Sequence, residues 1–183
     1  MTARDFDPLS LDVAAFAKQG GAASGAWPLS ALDRLCEEVH ADAKPATSEQ
    51  LNWQVTGEAR PRRGGEPEIR LHLVCDAKVG LVCQRCLQAV EVDVRVDRSF
   101  QFVSSEALAA EIDADSDEDV LALSRTLNLI ELIEDELLLG LPLVPRHAAC
   151  PQPLSAPADA EPFEERVNPF AVLGDLKRKP LPN

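Results

Sequence analysis

The stretch IRLHLVCDAKVGLVCQRC, Ile69 to Cys86, decides the fold. Ile69, Leu71, Leu73, Cys75, Ala77, Val79, Leu81 and Cys83 occupy every second position in it. Successive side chains of a strand point to opposite faces, so period two marks a strand with one buried face. After Cys83-Gln84-Arg85-Cys86 the alternation resumes in Val90, Val92, Val94 and Val96, and the same parity reaches Phe100 and Phe102. The C-x-x-C therefore reads as the turn of a hairpin. Upstream, Leu51, Trp53, Val55, Gly57 and Ala59 also alternate, and Arg60 to Pro67 (RPRRGGEP) is turn chemistry. The pattern predicts an antiparallel β-meander of at least three strands.

Such a sheet needs a cover for its apolar face. Asn128 and Glu131 have capping-box spacing ahead of a predicted helix, Leu129 to Leu139, ended by Gly140 and Pro142. Leu129, Leu132, Ile133 and Leu137 form its apolar stripe, widened by Ile130, Leu138 and Leu141. Glu131, Glu134, Asp135 and Glu136 are expected on the opposite, solvent side. Two short N-terminal helices are also expected. Ser10 can cap Leu11 to Gln19, stopped by Gly20-Gly21. A second helix opens at Trp27-Pro28-Leu29-Ser30, with Leu32, Leu35, Cys36 and Val39 on one face. Glu106 to Asp119 holds seven acidic residues and no basic one, which predicts a solvated loop. Its DADSDED run lacks the Gly and the late Glu of an EF-hand calcium loop. The class is α+β. Residues 1–150 form a single α+β domain, 151–167 a Pro-rich linker, and 168–183 a C-terminal tail. In that tail Asn168 caps and Pro169 starts a short helix, with Phe170, Leu173 and Leu176 as a narrow apolar stripe before Lys177-Arg178-Lys179.

The 183 residues are 45% hydrophobic and 27% charged, which excludes wholesale disorder. Aromatics make up only 4%, with no Tyr, so the core rests on Leu, Val, Ile and Ala. The formal net charge of −13 repels phosphate backbones as a whole. RNA contact must then be local, at Arg60, Arg62, Arg63 and Arg70 or at Lys177 to Lys179. Met1 to Pro8 lacks the apolar core of a signal peptide, and Leu137 to Val144 is too short to span a bilayer. A cytoplasmic protein without membrane contact is the expectation. No Gly-rich phosphate loop, G-x-S-x-G or H-E-x-x-H occurs, and no paired acid and base stands out.

Five cysteines without an export signal argue against a disulfide framework. Cys83 and Cys86 have the spacing of a zinc knuckle, and His147 with Cys150 supplies two further ligands as H-x-x-C. Cys75 lies eight residues before Cys83 in an extended run, roughly 26 Å away, and belongs to the core. Two thiols on a hairpin turn, with His147 and Cys150 in a surface loop, is the other reading. A thioredoxin-type dithiol sits instead at a helix N-terminus in a βαβ setting. A Cys86–His147 nucleophile pair lacks an identifiable orienting group.

These features together resemble the YceD family, the large ribosomal RNA subunit accumulation proteins of bacteria. The resemblance rests on Leu81-Val82-Cys83-Gln84-Arg85-Cys86, on Glu134-Asp135-Glu136-Leu137 through Leu141-Pro142-Leu143-Val144-Pro145, and on the tail Asn168-Pro169-Phe170-Ala171-Val172-Leu173 through Leu176-Lys177-Arg178-Lys179. It implies a non-enzymatic role in accumulation or processing of large-subunit rRNA. It also implies a ribosome-assembly protein or a large-subunit ribosomal protein as partner, with rRNA met directly or indirectly. An acidic adaptor suits a basic partner through charge complementarity. A direct rRNA binder using the Arg/Lys clusters, and a zinc-knuckle interaction module, are the alternatives.

Overall fold

The period-two runs become the long strands of one sheet. A computed structural model describes residues 6–43 and 49–151. These belong to the unit Met1–Cys150, apart from Pro151, the one described residue of a second unit, Pro151–Asn183. The expected linker and tail, including Asn168 to Lys179, lie outside the described residues. Along the chain come α1 (Val13–Lys18), β1 (Ala22–Pro28), α2 (Asp33–Glu38), β2 (Gln50–Arg60), β3 (Glu68–Val82), β4 (Ala89–Val103), α3 (Glu106–Asp113), β5 (Asp119–Ala122) and α4 (Leu129–Leu139).

The sheet runs in order β1-β2-β3-β4-β5. Its first three pairings are antiparallel and β4–β5 is parallel. The fold is α+β with the expected meander, extended by a strand at each edge. Every predicted inward residue of β3, from Ile69 to Leu81, is buried, and Cys83 beyond it is fully enclosed. Register follows from that parity, because a one-residue slip would turn the whole apolar set to water. Gly57 explains how α1 lies so close to β2. A Cβ there would stand 2.5 Å from Phe16 and 2.9 Å from the Ala17 backbone.

The helix α4 covers the same face through Leu129, Ile133 and Leu137, all buried with the sheet residues in one core. Asn128 caps it through its side chain, accepting from the Ile130 N–H. Two of its acids depart from expectation, since Glu134 and Glu136 are buried rather than solvent-facing. Glu134 accepts from the Leu35 N–H at 3.1 Å and from Arg34 Nε at 2.9 Å, fastening α2 to α4. Glu136 faces Arg98 at 3.6 Å, where Arg98 interrupts the apolar parity of β4.

Other local expectations shift for identifiable reasons. Leu11 exchanges two backbone hydrogen bonds with Leu127, so α1 begins later and is capped by Asp12 instead of Ser10. Trp27 and Pro28 belong to strand β1, Leu29–Ala31 forms a 3₁₀ turn, and α2 starts only at Asp33. Trp27 is held in the strand by stacking on Trp53, ring centroids 4.7 Å apart. The acidic stretch 106–119 is a loop only over residues 114–118. Ser105 caps α3, Asp113 accepts the Val120 N–H, Glu118 pairs with Arg70, and Asp119 opens β5. Alanine and leucine between the acids favour a helix there, and two of the acids, Asp113 and Glu118, find specific partners.

Candidate metal centre

Cys83 leaves the end of β3 on its inward side, and the chain must reverse at once to enter β4. The Leu87 N–H donates to the Cys83 carbonyl at 2.8 Å and the Cys83 N–H donates to the Gln88 carbonyl at 2.9 Å, closing the turn. Leu87 takes φ 60°, the left-handed region. The residue is 61% exposed, so little packing compensates that conformation. The turn presents Cys83 and Cys86 to the same side.

The segment after α4 crosses over this turn. α4 ends at Leu139 with Gly140 as its C-cap, and the Pro145 carbonyl accepts the Gln84 N–H at 2.9 Å. That bond sets His147 and Cys150 over the knuckle. The four ligand atoms of Cys83, Cys86, His147 and Cys150 all lie within 4.8 Å of one another. Cys83 Sγ is 3.9 Å from Cys150 Sγ, and Cys86 Sγ is 3.4 Å from His147 Nδ1. Tetrahedral zinc with Zn–S of about 2.3 Å and Zn–N of about 2.0 Å requires S···S of about 3.8 Å and S···N of about 3.5 Å. The donor set fits zinc in both element type and spacing. Thiolate and imidazole also suit zinc far better than calcium or magnesium. No disulfide joins any of the five cysteines, and Cys75 is core, as its parity requires.

Electrostatics prepare the thiols. Burial pushes the Cys83 thiol up, but the N–H groups of His147, Arg85 and Cys86 aimed at its sulfur outweigh this and bring it down to about 5. Burial raises the Cys86 thiol. Arg85, inside the C-x-x-C, donates from Nε to Cys150 Sγ at 2.9 Å and from Nη2 to the His147 carbonyl at 3.1 Å. Three thiolates around a divalent ion would leave one negative charge, which the Arg85 guanidinium is placed to offset while its hydrogen bonds orient Cys150 and His147. From sequence, Arg85 is only part of the C-x-x-C turn and of the family resemblance, with no role at the site; the available signal is its place between the two cysteines. Four protein donors fill a tetrahedral ion completely, which is the pattern of a structural site and leaves no position for a reacting water.

The Arg cluster proposed for RNA is divided by the structure. Arg60 pairs with Glu58 at 2.9 Å, and Arg70 is held by Glu118 and Glu68. Arg62 and Arg63 stand exposed in the turn between β2 and β3. Among the described residues, no helix is long and apolar enough to cross a membrane.

Residues 71–177 match the family described as large ribosomal RNA subunit accumulation protein YceD. This chain belongs to the YceD family. The matched span contains all four candidate ligands, Arg85 and α4. A Haemophilus influenzae protein named large ribosomal RNA subunit accumulation protein YceD is 31% identical over 106 residues, 55% of this chain and 61% of the relative. The chain thus spans about 61% of the length of that YceD protein. No solved structure matches the chain.

Proposed function

We propose that this YceD-family chain supports accumulation of large-subunit rRNA as a non-enzymatic acidic adaptor whose β3–β4 turn and the segment that follows α4 are joined by one structural zinc ion. The observation that carries the zinc reading is the convergence of Cys83, Cys86, His147 and Cys150, from two segments distant in sequence, on one tetrahedral spacing. Zinc there supplies a crosslink between the β3–β4 turn and the segment that follows α4, and the closed donor set suits that role. Family membership supports the rRNA role.

The adaptor reading draws on charge. A chain of net charge −13 suits a basic ribosomal or assembly protein better than a phosphate backbone. Carboxylates already neutralise two of the four arginines offered for RNA, which favours the adaptor over direct RNA binding. The tail completes the proposal as a recognition segment. Asn168, Pro169, Phe170, Leu173 and Leu176 supply its cap and apolar stripe, and Lys177, Arg178 and Lys179 its basic end. In this division 1–150 is the folded domain, 151–167 the linker and 168–183 the tail.

Deleting residues 168–183 in cells tests the assignment. Partner capture and large-subunit rRNA should fall while the melting temperature barely changes. A large drop in melting temperature with capture intact rejects the tail as a recognition element. Binding that persists with protein partners after nuclease treatment supports the adaptor. Binding that requires RNA and weakens steeply with salt supports the direct binder instead.

A further inference from the structure

Among the described residues, the outer edge of β1 is an open hydrogen-bonding row, in a chain of net charge −13. Ala22–Pro28 pairs with β2 continuously from Ala22↔Thr56 to Pro28↔Gln50, with no bulge. The Gly57 N–H donates to the Gly21 carbonyl and the Leu29 N–H donates to the Glu49 carbonyl, so odd-numbered residues face β2. In an antiparallel ladder the alternate residues then face away. These are the N–H and C=O groups of Ala22, Ser24 and Ala26, with the Pro28 C=O. Among the described residues nothing else bonds them. Ala22, Ser24, Gly25, Ala26 and Pro28 are exposed.

Natural edges are guarded by charge, bulges, short length or cover. The other edge of this sheet has such guards. β5 is four residues long, starts with Asp119, and its Val120 N–H is taken by Asp113 of α3. Ala22–Pro28 has no charged residue, and its one proline stands at the very end. Side chains there are small up to Trp27, and at Gly25 an added Cβ would meet Trp53 at 2.8 Å. An incoming backbone therefore meets no long side chain along the first five residues.

We propose that β1 is a strand-addition site that receives an extended, cationic polypeptide segment as a sixth strand of the sheet. Main-chain hydrogen bonds to Ala22, Ser24 and Ala26 give the attachment, as in other β-augmentation. Charge selects the occupant. A second copy would bring another −13 against this chain, whereas a Lys/Arg-rich segment is attracted. No basic residue lies between Lys18 and Arg34, and Arg34 is bound by Glu134 and Asp135, so β1 itself and the turns that flank it carry no cation to repel the incoming segment. The inference rests on the adaptor reading and names the surface and backbone conformation by which the basic partner is held.

The probe is an eight-residue peptide alternating Lys and Val, compared with the same peptide N-methylated at alternate residues and with a Glu-Val counterpart. Trp27 stacked on Trp53 reports binding by fluorescence, and hydrogen exchange reads the Ala22, Ser24 and Ala26 amides. The Lys-Val peptide should protect those three amides, while the N-methylated and Glu-Val peptides bind at least tenfold more weakly. Ser24→Pro removes an N–H that β2 does not use and should weaken binding at least tenfold. Ala26→Lys, a charged edge guard, should do the same without lowering the melting temperature, which covers the case of a misfolded Ser24→Pro. Equal binding of the N-methylated peptide, or of both variants, overturns the proposal. Concentration-dependent dimerisation abolished by Ser24→Pro overturns it in favour of a second copy. In cells lacking the endogenous protein, a wild-type chain that fails to restore large-subunit rRNA refutes the adaptor role itself. Restoration by wild type and both variants alike refutes only the edge.

Discussion

Withdrawing zinc should loosen one corner of this protein and leave the sheet standing. The perturbation is a chelator, or Cys83→Ser, which removes the ligand that receives the His147 N–H and lies 3.9 Å from Cys150. If free zinc stands at about 100 times its Kd, binding contributes about 2.7 kcal/mol to the folded state. For a chain of this size each kcal/mol is worth about 2–4 °C, so the melting temperature should fall by about 5–11 °C. Complete unfolding is not expected, because Leu71, Leu73, Phe100, Ile133 and Leu137 are buried independently of the ligand set. Hydrogen exchange should localise the loss. The Gln84 amide, bonded to Pro145, and the Leu87 amide, bonded to Cys83, lose protection, while amides in the middle of β3 keep theirs. Elemental analysis of protein purified without chelator should find about one zinc per chain, the number a single four-ligand site holds, and none in Cys83→Ser. Metal-free protein that melts within about 1 °C of the zinc-loaded form would refute the crosslink.

Three further outcomes test the packing and charge arguments. Leu137 is fully buried between α4 and the sheet, so Leu137→Ala should cost about 2–5 kcal/mol in denaturant melts; a cost under about 0.5 kcal/mol would mean that α4 does not cover the sheet. Leu87→Gly should stabilise the zinc-loaded protein by roughly 1 kcal/mol, since glycine adopts the left-handed φ without a Cβ clash, and unchanged or lower stability would contradict the conformation of the turn. Burial holds the Glu136 carboxyl above its ordinary value, with Arg98 opposing and Asp119 and Asp135 adding to the rise. The folded state therefore holds that proton more tightly than the unfolded state, and Glu136 subtracts stability as pH rises from its ordinary value of 4.5 through its raised one. Glu136→Gln should remove that part of the pH dependence and match or exceed wild-type stability at neutral pH in melts compared across pH 4 to 7; a variant that is less stable at neutral pH but equal in acid would reverse the sign.

The three long strands, their buried parity and α4 were all legible in the sequence. Each is announced by a local period: alternation from Ile69 to Cys83 and from Val90 to Phe102, and the stripe Leu129, Ile133 and Leu137 behind an Asn128 cap. The four candidate ligands were legible as residue types, with Cys83-x-x-Cys86 and His147-x-x-Cys150 each readable within four residues. Tertiary structure alone decided whatever depends on two distant segments meeting. Bringing Cys83 within 3.9 Å of Cys150 depends on where α4 lies across the sheet and where the Pro145 carbonyl finds the Gln84 N–H. The same holds for Arg85 on Cys150, for Glu134 turned inward to Arg34, and for Arg70 neutralised by Glu118. Strands β1 and β5 have too little hydrophobic alternation to declare themselves, and exist because a neighbouring strand offers hydrogen-bonding groups to them. A local period reports only which face of an element seeks burial. Which partner that face or charge finds is set by non-local geometry, and here that geometry assembles the four candidate ligands and, among the described residues, leaves the edge of β1 open.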